Sequence, residues 1–231
     1  MRPGGWRDLV TLLHPPYTAW HLSYVALGAA AAPVVHVDRL VAVLGAFFLA
    51  VGIGAHALDE LNGRPLGTQL TDRTLWGLAV VGVGSAVAIG IAGAVIVSAS
   101  VVPFVVVGAF LVTAYNLELF GGRFHTDFWF AAAWGAFPAF TAYWVNSLAV
   151  GAAGALVAAA CFGLSVAQRA LSTPVRELRR RTIAVSGEQR LQDGSVVELS
   201  AARLAAPLDR ALRATAVALV LLAAGLLIVR V

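Results

Sequence analysis

Lysine is absent from this 231-residue chain: all sixteen basic residues are arginine. Cysteine occurs once, as Cys161, which excludes a disulfide framework. Charge of either sign is scarce, at 12 % of residues against 60 % hydrophobic, and mean hydropathy is +0.84. A water-soluble globular domain does not have this balance; an integral membrane protein does. The apolar runs are continuous and lack the alternation of a β-barrel, which leaves helical spans. With so few charges, the pI of about 10.0 reports where arginines sit relative to a membrane and not a nucleic-acid surface.

What is present is a series of apolar stretches, roughly Trp20–Val35, Leu40–Leu58, Leu75–Val97, Val101–Leu117, Phe128–Val145, Leu148–Ala167 and Ala214–Val229. Each comes near the length needed to cross ~30 Å of hydrocarbon, the first and last only marginally. The fold class expected is an all-α integral membrane protein with about seven transmembrane helices. A cleaved signal peptide is not expected. Polar, proline-containing Leu13–Thr18 delays the first apolar run, and Ala29 to Ala32 continues straight into the span. With seven spans, fourteen of the sixteen arginines lie on the side of the N-terminus, and only Arg39 and Arg230 lie opposite. The positive-inside rule then predicts a cell-membrane protein with its N-terminus cytoplasmic and its C-terminus outside.

Three regions follow: a six-span bundle over 1–167, a cytoplasmic segment over 168–213, and a seventh span over 214–231. The cytoplasmic segment opens with Arg176, Arg179, Arg180 and Arg181. Asp193-Gly194, a hairpin-turn pair, stands between Thr182–Ser186 and Ser195–Leu199 and predicts a small β-hairpin. An amphipathic helix from about Ala201 leads into the last span. The segment reads as a linker anchored to anionic lipid head groups, or as a lid over a cytoplasm-facing cavity.

Polar residues gather at the cytoplasmic ends of four spans. His14, Tyr17, His21 and Tyr24 recur at helical steps on the first, and Gly28 continues their face. His56, Asp59 and Glu60 share one face at the end of the second. Tyr115, Asn116 and Glu118 close the fourth, and His125 and Asp127 precede the fifth. Charge at a span end is costly unless it meets water, a partner or a metal. His56, Asp59, Glu60, Glu118, His125 and Asp127 are therefore candidate ligands of a divalent metal. Carboxylates favour Mg²⁺, and added histidines shift the preference toward zinc or iron. Arg64 and Arg123 are candidates for a phosphate or diphosphate, because a guanidinium pairs bidentately with its oxygens. The plainer readings keep Asp59 and Glu60 as caps paired with Arg64 or Arg73, His14 and His21 as ordinary hydrogen-bonding residues, and Tyr17 and the tryptophans as belt or packing residues. Pro138 predicts a kink in the fifth span.

Leu58-Asp59-Glu60 followed by Gly63-Arg64-Pro65-Leu66 resembles the end of the first motif of the UbiA superfamily of intramembrane prenyltransferases. Ala114-Tyr115-Asn116, Gly121-Gly122-Arg123 and Trp134–Pro138 are similar to that family's tyrosine, basic loop and glycine-containing helix. The likeness covers about Leu13 to Val145. It implies a UbiA-like helical bundle acting on a prenyl diphosphate or related lipid. Asp59 and Glu60 would be catalytic and metal-binding, Mg²⁺ the metal, Arg64 and Arg123 the diphosphate contacts. Tyr115, with the span-five tryptophans, would line the prenyl tunnel. Apart from the resemblance, Tyr17, His21 and Tyr24 are substrate-facing candidates from their place on the polar face of the first span. The chain departs from the family pattern in three respects: seven spans are expected where the family usually has nine, and both acidic motifs differ. Ala55, Asp59 and Gly63 keep one acid of the three in the first motif, and no second Asp-rich motif stands near Ala167–Ala170. A His/carboxylate metal enzyme acting on a lipid or quinone, and a non-catalytic lipid-binding relative, remain alternatives.

Overall fold

The computed structural model describes residues 5–231. A short helix α1 (Trp6–Leu13) leads into α2 (Pro15–Ala30), which starts on the proline pair Pro15-Pro16 and stops short of Pro33. Then come α3 (Val37–Leu61), α4 (Asp72–Ile96), α5 (Ala99–Asn116), α6 (residues 127–147), α7 (Ala152–Arg180) and α8 (Ala201–Arg230). Three helices that start at the same end of the bundle are capped by hydroxyls. Thr71, Thr126 and Ser200 accept hydrogen bonds from the backbone N–H of Thr74, Trp129 and Arg203. The helices run alternately up and down, α2 packing on α3, α6 and α8 while α4, α5 and α7 complete the bundle. Gly28 permits the closest approach: a Cβ there would lie 2.0 Å from the Ala139 carbonyl oxygen, so α2 and α6 meet backbone to backbone.

The protein is mostly helical, and five helices are long and apolar enough to cross a membrane: α3, α4, α5, α7 and α8. Helices stand where the first and fifth spans were expected, α2 and α6, but they do not meet that measure. α2 has only 16 residues and carries Tyr17, His21, Ser23 and Tyr24. Both helices are the most enclosed by their neighbours, with Trp20, Tyr24, Trp134 and Tyr143 all buried. A helix wrapped by other helices need not be apolar all round, because its polar atoms meet protein and not lipid.

Two helices contain π-helical stretches, Phe48–Ala55 in α3 and Ala131–Ala136 in α6. Such stretches free carbonyls from the regular ladder and are frequent at functional sites. Both carry residues of the site described below.

The segment after the sixth long helix is shorter than the sequence suggests. α7 continues to Arg180 and α8 begins at Ala201 as one 30-residue helix, so the expected amphipathic helix and last span are a single element. Arg179 pairs with Asp209 across their projecting ends. Between them a two-stranded antiparallel hairpin pairs β1 (Glu188–Arg190) with β2 (Val196–Glu198). Asp193-Gly194 is at its tip, as expected. The first strand is displaced from Thr182–Ser186, because the loop closes through Leu191 N–H to the Ser195 carbonyl and pairing starts just before Leu191. Asp193 accepts from both the Ser195 hydroxyl (2.6 Å) and its amide (2.9 Å), which hold its carboxyl below the usual range.

Candidate functional site

At one end of the bundle, α2, α3, α5, α6 and α7 bring together a cluster of histidines, tyrosines and charges. Its centre is Tyr17, whose ring is 4.3 Å from His21 and 5.3 Å from His56. Phe130 adjoins Tyr17, His21 and Tyr115 at 5.9 to 6.3 Å. His125 stacks on Tyr115 at 4.5 Å, and the His14 ring is 6.1 Å from His56.

Three of these imidazoles are oriented by backbone carbonyls. His21 Nδ1 is 2.7 Å from the Trp134 carbonyl, His56 Nδ1 is 3.1 Å from Gly52, and His125 Nδ1 is 3.0 Å from Tyr115. The sequence explains why the first two carbonyls are available. In an α-helix Trp134 would accept from residue 138, but Pro138 has no N–H. Gly52 would accept from the His56 amide, which instead bonds Ile53 at the end of the π stretch. A carbonyl only accepts, so Nδ1 carries the proton and the neutral ring keeps a lone pair on Nε2. His21, only 3 % exposed, has its Nε2 buried with no partner among the described residues. A second-nitrogen hydrogen bond of this kind prepares a histidine to accept a proton, a donor or a metal.

The acids divide by role. Asp59 is half-buried, its carboxylate makes no side-chain hydrogen bond among the described residues, and it lies within electrostatic reach of His125, Glu60, Arg176 and Glu118. Glu60 was expected beside it but turns away. It is fully buried and accepts from Leu66 N–H (2.8 Å), Thr68 N–H (2.7 Å) and the Thr68 hydroxyl (2.8 Å), three bonds that commit it to the loop after α3. Arg64 is likewise bound into this loop, to the Leu70 carbonyl at 2.5 Å and to Asp72. Both side chains are thus turned to this loop and not to the Tyr17 cluster. Arg123 is exposed in the loop between α5 and α6. Asp127 is held by Arg169 at 2.7 Å, and Glu118 lies 3.9 Å from His125 Nδ1. Tyr24 is a core tie: its hydroxyl receives the Trp20 indole N–H and the Ser165 hydroxyl. Among the described residues, no three His, Cys, Asp or Glu side chains converge closely enough to hold a metal ion.

Two residues missed as site candidates are Arg169 and Arg176. Arg169 lies over the Phe130 ring at 5.1 Å, and Arg176 has Arg169, Tyr115, Tyr17 and Arg180 as electrostatic neighbours. Their spacing, with Arg180, follows one helical face at seven- and four-residue steps and could have been read from the sequence. Arg169 and Arg176 thus bring positive charge from α7 to the aromatic side of the cluster.

Beyond the cluster, α3, α4, α5 and α6 line an apolar cavity of about 130 Å³ that is partly open at its side. Trp134 belongs to both: it lines the cavity, its carbonyl orients His21, and its ring meets Tyr115 edge-on at 5.6 Å. The cavity's walls include Val51, Val112, Phe104 and Phe137, and its polar side chains are Arg39, at the far end, and Thr141, whose buried hydroxyl has no partner among the described residues.

No family model, curated protein or solved structure matches this chain.

The division between Asp59 and Glu60 predicts opposite outcomes for two isosteric changes. Glu60→Gln loses one acceptor and the charge that holds two N–H groups and a hydroxyl, so thermal stability should fall by about 1–3 kcal/mol. Asp59→Asn should change stability by less than about 0.5 kcal/mol. Melting curves of the two variants check this; equal losses would contradict the assignment.

Proposed function

We propose that this protein is a UbiA-like intramembrane enzyme that processes a prenyl diphosphate or a related anionic lipid. The head group is held in the His/Tyr/Arg cluster, and the tail lies in the apolar cavity. The single observation that carries this reading is the shared wall at Trp134, which joins a charged aromatic cluster to a dry cavity. Ligand sites of this form, mostly apolar with a few convergent polar groups, fit a lipid with one polar end.

In this reading α2 and α6 span the membrane with the five long apolar helices, giving seven spans, and the cluster opens to the cytoplasm. Arg169, Arg176 and Arg180 take the role first given to Arg64, with Arg123 at the rim. Planar guanidinium groups match diphosphate oxygens and stabilise the charge that develops as the allylic C–O bond breaks and its electron pair leaves with the diphosphate. The remaining cation is met by Tyr17, Tyr115, Phe130 and Trp134, whose ring faces attract positive charge, until an electron-rich acceptor substrate forms a bond to the allylic carbon and releases a proton. The projecting arginines of α7 and α8 also suit anionic lipid head groups. The donor set does not fit the family's pair of metal-binding acidic motifs, because among the described residues Asp59 alone of the cluster carboxylates makes no side-chain hydrogen bond or ion pair.

A second reading rests on the three oriented imidazoles. With modest side-chain movement, His56, His125 and Asp59 would hold zinc or iron and act on a lipid or quinone, Mg²⁺ being less suited to imidazole. Metal analysis of the detergent-purified protein separates the readings: tightly held zinc or iron supports this one. Lipid binding with neither metal nor turnover supports a non-catalytic relative.

Geranylgeranyl diphosphate should raise the melting temperature of the wild type, and Arg176→Gln should weaken that binding by tenfold or more, since one charge-assisted contact is lost. A wild type unmoved by the diphosphate, with or without Mg²⁺, would contradict the proposal. For orientation, cysteines introduced near Ser98 and at Asp193 should be labelled from outside and from the cytoplasm respectively; Cys161 is buried and contributes little background. External labelling at position 193 would overturn the orientation.

A further inference from the structure

The apolar cavity has a charged end. Arg39, near the start of α3, is half-buried and lines the cavity at the pole opposite the His/Tyr/Arg cluster. Its Nη1 donates to the Val145 carbonyl at 3.0 Å, and Val145 is itself a wall residue on α6. The two residues thus close the same end from facing helices. Next to them Arg230 donates to the Ala32 and Pro33 carbonyls, which fixes the end of α2 against α8. An arginine in an otherwise apolar wall is unusual, because its donors must be satisfied by carbonyls or water.

The distance between the poles can be read along two helices. From Arg39 to Val51 on α3 is roughly 18 Å at ~1.5 Å per residue, and from Trp134 to Val145 on α6 is roughly 16 Å. A fully extended chain starting at the Trp134 junction therefore meets Arg39 a little beyond farnesyl length, so a gently bent geranylgeranyl tail is the longest that fits short of the guanidinium. A longer tail must displace the guanidinium from the Val145 carbonyl or press hydrocarbon against its charge, and either is costly.

We infer that Arg39 is the chain-length stop of this cavity, selecting isoprenoid tails up to about geranylgeranyl length. This rests on the reading of the cavity as the tail channel. Arg39 is a specificity-determining residue in this account and has no part in the chemistry at the cluster.

The test uses the full-length protein in detergent, with geranyl, farnesyl, geranylgeranyl and solanesyl diphosphates as probes and tryptophan fluorescence or thermal shift as the readout. For the wild type, affinity should rise through geranylgeranyl, as more apolar surface is buried, and then fall at least tenfold for the much longer solanesyl chain. Arg39→Ala should abolish the fall while leaving farnesyl binding within about twofold. Arg39→Lys, which keeps a charge at the same place, should retain it. If the alanine variant does not fold, Arg39→Leu keeps the bulk of the stem without the charge and should reduce the fall at least threefold. A wild type that binds solanesyl as well as geranylgeranyl overturns the inference. So does a fall of the same size in Arg39→Ala or Arg39→Leu. Either result leaves the tail channel itself standing, whereas failure of every chain length to bind overturns both.

Discussion

The hydrogen bond between His21 and the Trp134 carbonyl is the contact on which the arrangement of the site depends. It exists because Pro138 has no N–H to give that carbonyl. One missing backbone donor on α6 thereby fixes a side chain on α2, sets which imidazole nitrogen is bare, and places the polar cluster against the wall of the cavity. The close approach at Gly28, with the Ala139 carbonyl, holds the same two helices at the needed distance. In a low-dielectric interior an unpaired carbonyl or imidazole would cost about 1–3 kcal/mol, so pairing the two is favoured over leaving either alone.

The same logic separates the residues that build the site from those that use it. Glu60 and Arg64 look functional in sequence because acid and base stand at a span end. In the fold each is engaged by the loop that follows α3, Glu60 through three hydrogen bonds and Arg64 through the Leu70 carbonyl and Asp72. That loop must return the chain to α4 within ten residues, and its amides need acceptors in a region partly shut off from water. Asp59, one position away from Glu60, faces the other side of the helix end and stays without a side-chain hydrogen bond among the described residues. Adjacent carboxylates therefore differ completely in what they are available to do.

Much of this was legible in the sequence, and the reasons differ by element. The long helices follow from continuous apolar runs, and the convergence of Tyr17, His21, His56, Tyr115 and His125 at one end follows from their placement at span ends in an alternating bundle. The enclosure of α2 and α6 was not legible, since a helix's neighbours are not encoded in its own composition. Nor were the side-chain directions of Glu60, Arg64 and Tyr24, which depend on partners as distant in sequence as Ser165. Arg169 and Arg176 take on meaning only once α7 lies against α6, since arginines at the end of a span equally suit anionic lipid head groups. Pro138 was visible as a kink, but the carbonyl it frees has meaning only once α2 lies beside it.

The most direct test of the account is the protonation of His21, read by nitrogen-15 NMR of selectively labelled full-length protein beside the Pro138→Ala variant. The account predicts a wild-type ring with its proton on Nδ1 and a bare Nε2. In Pro138→Ala the restored N–H competes for the Trp134 carbonyl, so the fixed tautomer is lost and geranylgeranyl diphosphate binds more weakly. A wild-type His21 protonated on Nε2, or a tautomer and affinity untouched by Pro138→Ala, would contradict it.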